Sequence, residues 1–153
     1  MTMIHLVRTD FKNHDFAHLV SKLDADLGHR DGEDHAFYHQ FNGIDSLHQT
    51  VVAYLDGVAV GCGALKEHDT DVMEVKRMYV PPQYRGKGIA SKVLHELEKW
   101  AAELGNSACV LETGKRQPEA IALYTKNGYK SIPNYGPYTD VENSVCFKKN
   151  VSF

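Results

Sequence analysis

The chain has 153 residues, 42% of them hydrophobic and 24% charged, with a formal net charge of −3. That composition is ordinary for a soluble globular domain, the length allows one real core, and the mild acidity argues against a nucleic-acid module, which needs a basic face. No apolar run approaches the ~20 residues that would cross a bilayer.

The opening MTMIHLVRTDF has no basic segment followed by an apolar core, so it does not read as a secretion signal. The expectation is one cytoplasmic domain over residues 1–153, with no nucleic-acid or membrane partner. Met3–Thr9 alternates apolar and polar residues and predicts a strand. Asn13–Leu27 places Phe16, Leu19, Val20, Leu23 and Leu27 on one helical face, with Gly28 as the expected stop. The polar, histidine-rich stretch that follows predicts a loop with a short helix around His35–Phe41. Two apolar runs then meet at Asp56-Gly57, a hairpin signal. Met73–Val80 is a further strand that stops at Pro81-Pro82, which cannot donate to a ladder. From Ile89 to Leu104 an apolar stripe of Ile89, Val93, Leu94, Leu97, Trp100, Ala101 and Leu104 predicts the clearest helix, closed by Gly105. Ala108–Thr113 is a short apolar strand. A helix opens at Pro118 and stops at Gly128, and two last strands flank a polar loop. The order β-α-α-β-β-β-α-β-α-β-β implies a mixed sheet with helices against it. Met73–Val80, the helix and Ala108–Thr113 suggest a right-handed crossover.

Cys62, Cys109 and Cys146 are the only cysteines. Each sits in an apolar strand-like segment without metal-ligand spacing, so reduced core thiols are expected. Seven of the nine histidines precede residue 50. His35 and His39 stand one helical turn apart and could pair on a metal, but surface histidines are the plainer account and no metal is expected.

The chemistry-bearing stretch is VPPQYRGKGIASKVL, Val80 to Leu94. A nucleotide P-loop needs G-x-x-x-x-G-K-[ST], which is absent. The dinucleotide pattern G-x-G-x-x-G fails at Ser91. A bland turn remains open. Against it, the first-turn N–H groups of a helix lack backbone partners. Glycines let a loop aim several of them inward, and the helix dipole favours an anion. Arg85, Lys87 and Lys92 add cations at the same opening.

This run, with the strand MEVKRMYV before it and VLETGKRQPEAIALYTKNGY after it, resembles the acetyl-coenzyme A site of the GCN5-related N-acetyltransferase (GNAT) superfamily. Arg85-Gly86-Lys87-Gly88-Ile89-Ala90 satisfies that family's Arg/Gln-x-x-Gly-x-Gly/Ala pattern. Ala-x-x-Leu-Tyr ending at Asn-Gly-Tyr matches its second signature. The order of elements agrees from Met3 to Val151. The resemblance implies an α/β (mixed α+β) fold: a mostly antiparallel mixed sheet of about seven strands with splayed central strands, flanked by about four helices. It implies an N-acetyltransferase with acetyl-CoA as co-substrate and direct transfer to the primary amine of a small or amino-acid-like acceptor, in a monomer or homodimer. A non-catalytic acyl-CoA sensor on the same scaffold is the alternative.

The backbone from Arg85 to Ala90 (Arg85, Gly86, Lys87, Gly88, Ile89, Ala90), with Ser91, is implied to hold the pyrophosphate. Met78, Tyr79 and Val80 would pair with the pantetheine arm as an added strand. Gln117 stands where many members carry Asn, and its amide keeps a contact possible. Tyr124 occupies the family's general-acid position, or simply packs with its hydroxyl at the core edge. Glu74 is the candidate base, or an exposed carboxylate paired with a cation. Strand alternation puts it on one face with Lys76 and Met78. Glu112 is a second candidate. Tyr38, Phe41, Tyr135 and Tyr138 offer aromatic walls for the acceptor. Glu33, Asp34, Asp140 and Glu142 could draw a cation, and Arg30 a carboxylate.

Overall fold

The computed structural model describes residues 3–31, 44 and 47–151. The expected short helix at residues 35–41, and with it Tyr38, Phe41, Glu33, Asp34, His35 and His39, lies outside them. So does the side chain of Arg30.

Seven strands form one sheet: β1 (Ile4–Thr9), β2 (Gln49–Leu55), β3 (Val58–Asp69), β4 (Val72–Tyr79), β5 (Ala108–Gly114), β6 (Lys130–Ile132) and β7 (Ser144–Asn150). Their spatial order is β1-β2-β3-β4-β5-β7-β6. Every neighbouring pair is antiparallel except β4 with β5. Among the described residues there are three α-helices: α1 (His14–Asp31), α2 (Ile89–Glu103) and α3 (Pro118–Lys126). The parallel pair is joined through α2, the crossover expected from the sequence.

The helices divide between the two faces. On one face α2 buries Ile89, Val93, Leu94, Leu97 and Ala101 against Val51, Ala53, Val60, Leu65, Met73 and Val75. On the other, α1 buries Phe16, Leu19, Val20 and Leu23 against Val52, Cys62, Ala64 and Tyr79. Strand alternation sends neighbours on β2 to opposite cores, as Val51 and Val52 show. Asn13 caps α1, its Oδ1 accepting the Phe16 N–H at 2.9 Å.

Two expectations are corrected. Gly28 does not stop α1, which runs on to Asp31; a glycine inside a helix costs only about 1 kcal/mol, and the packed face N-terminal to it carries that. Leu104 does not join the apolar stripe of α2. It is 51% exposed, because the helix ends at Glu103 and Leu104 already turns toward Gly105 (φ 94°). The Asp56-Gly57 hairpin is as expected, with both residues at positive φ (51° and 81°) between Leu55 and its partner Val58, the signature of a type I′ turn.

Candidate active site

The site begins where the sheet opens. β4 and β5 pair only through Val72–Ala108, Met73–Cys109 and Glu74–Val110. Beyond Glu74 they part, while β4 stays paired to β3 as far as Tyr79 opposite Cys62. The β5-facing edge of β4 is therefore left without a strand partner over its last residues.

A bulge sits at the same place. Lys76 pairs with Ala64 and Tyr79 with Cys62, so Arg77 and Met78 together face Gly63. Arg77 takes a left-handed φ of 58°, as a bulge residue can. The extra residue breaks the strand's alternation. Met78 packs with the α2-side core, so it does not share a face with Glu74 and Lys76 as alternation alone suggests. Arg77 turns the other way and pairs with Asp24 of α1.

The glycine run follows. A short 3-10 turn at Pro82–Tyr84 leads to Gly86 and Gly88, at φ 81° and 76°, with Gly88 capping α2. Neither Cβ position would meet any atom within 4 Å, so both glycines face open space. Lys92 donates to Gly88 O at 3.1 Å; the N–H groups of Ile89, Ala90 and Ser91 precede any intrahelical acceptor and point out of the helix end. The Arg85 guanidinium folds back, its Nε donating to Val80 O at 2.8 Å.

A groove of about 420 Å³ runs from this loop along the free edge of β4 to α3. It is lined by Met78, Tyr79, Val80, Arg85, Gly86, Gly88, Ile89, Ala90, Ser91, Gln117 and Tyr124, all singled out from the sequence. Lys87 does not line it; its Nζ stands 6.0 Å from the Tyr84 ring centre. Asn127, which the sequence did not single out, ties α3 to the loop by donating to Ser91 Oγ at 3.1 Å.

A second cavity, about 100 Å³, opens on the other side of the splay. Lys76, Arg77, Glu112, Thr113 and Leu27 line it, and Leu23, Met78, Gln117, Ala120 and Tyr124 line both spaces. Tyr124 thus stands where the two meet. It is buried, its ring edge-on to Tyr129 with centroids 5.8 Å apart. Burial raises its pKa, and the Glu112 carboxylate adds to the rise. Lys76 is pushed the other way: burial lowers its pKa, and Glu74 and Glu112 offset part of that.

Glu74 lines neither space. It is 7% exposed, its Oε2 accepts the Tyr135 hydroxyl at 2.6 Å, and its Oε1 lies 4.0 Å from Lys76 Nζ. Tyr135 and Tyr138 pack edge-on behind it, with Tyr138 Oη 3.4 Å from Lys76 Nζ. Asn134 holds their loop closed by donating to the carbonyls of Tyr138, Val141 and Ser144. The sequence missed Lys76, Arg77 and Thr113 as lining residues. The available signal was a pair of cations inside a strand whose flanks are apolar.

All three cysteines are buried and free. Burial pushes the Cys62 and Cys109 thiols up to about 12 and Cys146 to about 11. Among the described residues no group of three His, Cys, Asp or Glu is placed to hold a metal, and no helix is long and apolar enough to cross a membrane.

Comparison with known proteins matches this arrangement. A chain from Klebsiella pneumoniae, assigned as an acyl-CoA N-acyltransferase, superposes with a TM-score of 0.82 at 30% identity, covering 97% of this chain and 98% of that one. The PaiA N-acetyltransferase of Thermoplasma acidophilum, solved with coenzyme A, shares the fold at TM-score 0.71 and 19% identity over 97% and 99% of the two chains. An IAA acetyltransferase of Azospirillum brasilense is 43% identical over 100 residues, a stretch that spans 65% of this chain and 65% of that protein. The profile of the Acetyltransferase (GNAT) family matches residues 14–129, and the chain belongs to that family.

Proposed function

We propose that this protein moves an acetyl group from acetyl-coenzyme A directly to the primary amine of a small, amino-acid-like acceptor. The observation that carries the reading is the continuous path from the Gly86–Gly88 cradle, along the unpaired edge of β4, to Tyr124. The cradle suits a pyrophosphate because its glycines leave open what a Cβ would fill and its first-turn N–H groups lack other partners. The free edge of β4, from Met78 to Val80, suits an amide-bearing arm that adds as a strand. Gln117 lines the groove, and its amide would serve that arm. Bound there, the cofactor would supply an activated acetyl thioester; everything else is done by this chain.

An alkyl ammonium has a pKa of about 10.4, so the acceptor must lose a proton before it attacks. Glu112 is better placed than Glu74 to take it. It lines the smaller cavity beside Tyr124, whereas Glu74 is held by Tyr135 and reaches the site through Lys76. Tyr124 then donates toward the departing sulfur. The thiols of Cys62, Cys109 and Cys146 are buried, held protonated and absent from both cavities, which supports direct transfer without an acyl-enzyme. The Azospirillum relative's name also specifies acetyl transfer. A non-catalytic sensor would use the groove but leave the second cavity, with Glu112 and Tyr124 on its wall, without purpose. The chain is proposed to act as one cytoplasmic domain, as a monomer or homodimer.

The test is calorimetric titration of acetyl-CoA and ATP, with CoA release followed over a panel of amines. Acetyl-CoA should bind more tightly than ATP, and Gly88→Glu should weaken it at least about tenfold, since its carboxylate would occupy the anion's place. Tighter ATP binding, or unchanged affinity in Gly88→Glu, would sink the reading.

A further inference from the structure

We propose that the acceptor is an amine that also carries a carboxylate, and that Lys76 and Arg77 form the carboxylate's subsite. This rests on the acetyl-transfer reading and narrows its acceptor class.

Three observations meet at the smaller cavity. The first is charge. Lys76 and Arg77 are cations on its wall, and Glu112 is the only carboxylate among the described residues that line it. Glu74 and Asp24 stand behind that wall, on Lys76 and Arg77 respectively. Among the described residues the lining therefore offers one more positive charge than negative.

The second is unused donor capacity. The Arg77 side chain is 1% exposed and pairs with Asp24 through one terminal nitrogen, yet its buried Nε has no acceptor. A guanidinium carries five N–H donors in a fixed fork, and an orphaned buried donor is costly. Lys76, with its side chain 9% exposed, has three donors, and among the described residues its contacts are long, with Glu74 Oε1 at 4.0 Å and Tyr138 Oη at 3.4 Å, while Glu112 acts on it from across the opening. An ammonium taken out of water without a close anion is held there at a cost, and a bound carboxylate would relieve it.

The third is placement. Lys76 and Arg77 lie on β4, and Glu112 lies across the opening on β5. A molecule with its carboxylate on the first pair can present its amine to the second, next to Tyr124. The cavity, about 100 Å³, suits the head group of such a molecule rather than a folded protein surface. The bulge at Arg77 makes the subsite possible, because it brings two consecutive cations of one strand to the same face. Arg77 and Lys76 would then discriminate acceptors as buried donors do: a ligand that lacks the carboxylate leaves them unpaired.

The test compares kcat/KM for each standard α-amino acid with that for the amine lacking its α-carboxylate, with phosphoethanolamine added as a rival anion. In the best pair the carboxylated member should be favoured by at least about tenfold. Lys76→Met, which keeps the volume of the stem, should shrink that preference about tenfold, mainly through the KM of the carboxylated partner. Equal or better turnover of the carboxylate-free amine, a preference for phosphoethanolamine, or an unchanged ratio in Lys76→Met would each overturn the subsite. Should acetyl-CoA bind while no amine releases CoA, acetyl transfer itself fails. The subsite is then judged by titrating N-acetyl-leucine and N-acetyl-isoamylamine onto the CoA-saturated protein. Tighter binding of the first supports it and equal binding overturns it.

Discussion

Tyr124 poses a problem of proton affinity. Its pKa is raised by burial and by Glu112, and a free thiolate, with a pKa of about 8.5, could not take its proton. The same desolvation acts on sulfur: the buried thiols of Cys62 and Cys109 are pushed up to about 12. Desolvation in the closed site would act on a thiolate formed beside Tyr124 in the same sense, bringing the two affinities nearer, so that the hydrogen bond alone stabilises the leaving group. Tyr124→Phe should therefore lower kcat by about 10²–10⁴-fold and leave acetyl-CoA affinity unchanged. The ring keeps its packing on Tyr129 and Phe147, so a loss of activity would not reflect unfolding. An unaltered kcat, read by CoA release, would remove Tyr124 from the chemistry. At this scale the sequence was uneven. The Leu-Tyr and Asn-Gly-Tyr pattern marked Tyr124 at once. On the sequence Glu74 stands ahead of Glu112, but nothing there tests that order, because which carboxylate meets the opening depends on where β4 and β5 part company. The bulge that turns Arg77 onto the face of Lys76 was out of reach, since a left-handed φ at an arginine has no residue-type signal.

Among the elements, α2 was the most legible, because its stripe and the glycines at both ends are local features. How closely it approaches the sheet was not. β3 places Gly61 and Gly63 directly beneath it. A Cβ on Gly63 would come within 2.5 Å of Met78 Sδ, 2.8 Å of Leu97 Cδ1 and 3.1 Å of Val93 Cγ1. Gly63 thus lets the bulge, the helix and the sheet meet in one layer, and the bulge's own residue, Met78, lines both cavities. Gly63→Ala should cost about 1–3 kcal/mol through overpacking, a fall of several degrees in Tm, since about 1 kcal/mol moves a chain of this size by roughly 2–4 °C. Because Met78 must yield, the variant should also bind acetyl-CoA less tightly. Thermal unfolding and calorimetry check both parts, and a wild-type Tm would mean that the helix lifts off the sheet without penalty.

Across the whole molecule, the alternating strands predicted one sheet and the apolar helices predicted layers on it, but the sequence held no sign of how the two faces are coupled. β2 and β3 couple them directly. Val51 and Val52 enter opposite cores from adjacent positions, as do Ala64 on the α1 side and Leu65 on the α2 side. Neither core can lose its sheet wall without exposing the other, so the chain is proposed to unfold as a unit. The cysteines make this measurable. Cys62 belongs to the α1-side core, Cys109 to the α2-side core and Cys146 to the small cluster around Tyr138. Trp100, the only tryptophan, packs against the α2-side core. Labelling of the three thiols along a urea gradient, resolved by mass spectrometry, should give midpoints that coincide with one another and with Trp100 fluorescence. Acetyl-CoA at about 100 times its Kd should move all four together by about 2.7 kcal/mol. Cys62 or Cys146 becoming reactive well before the others would show that its cluster opens separately. The acceptor side of the site could then be lost while the cofactor groove persists.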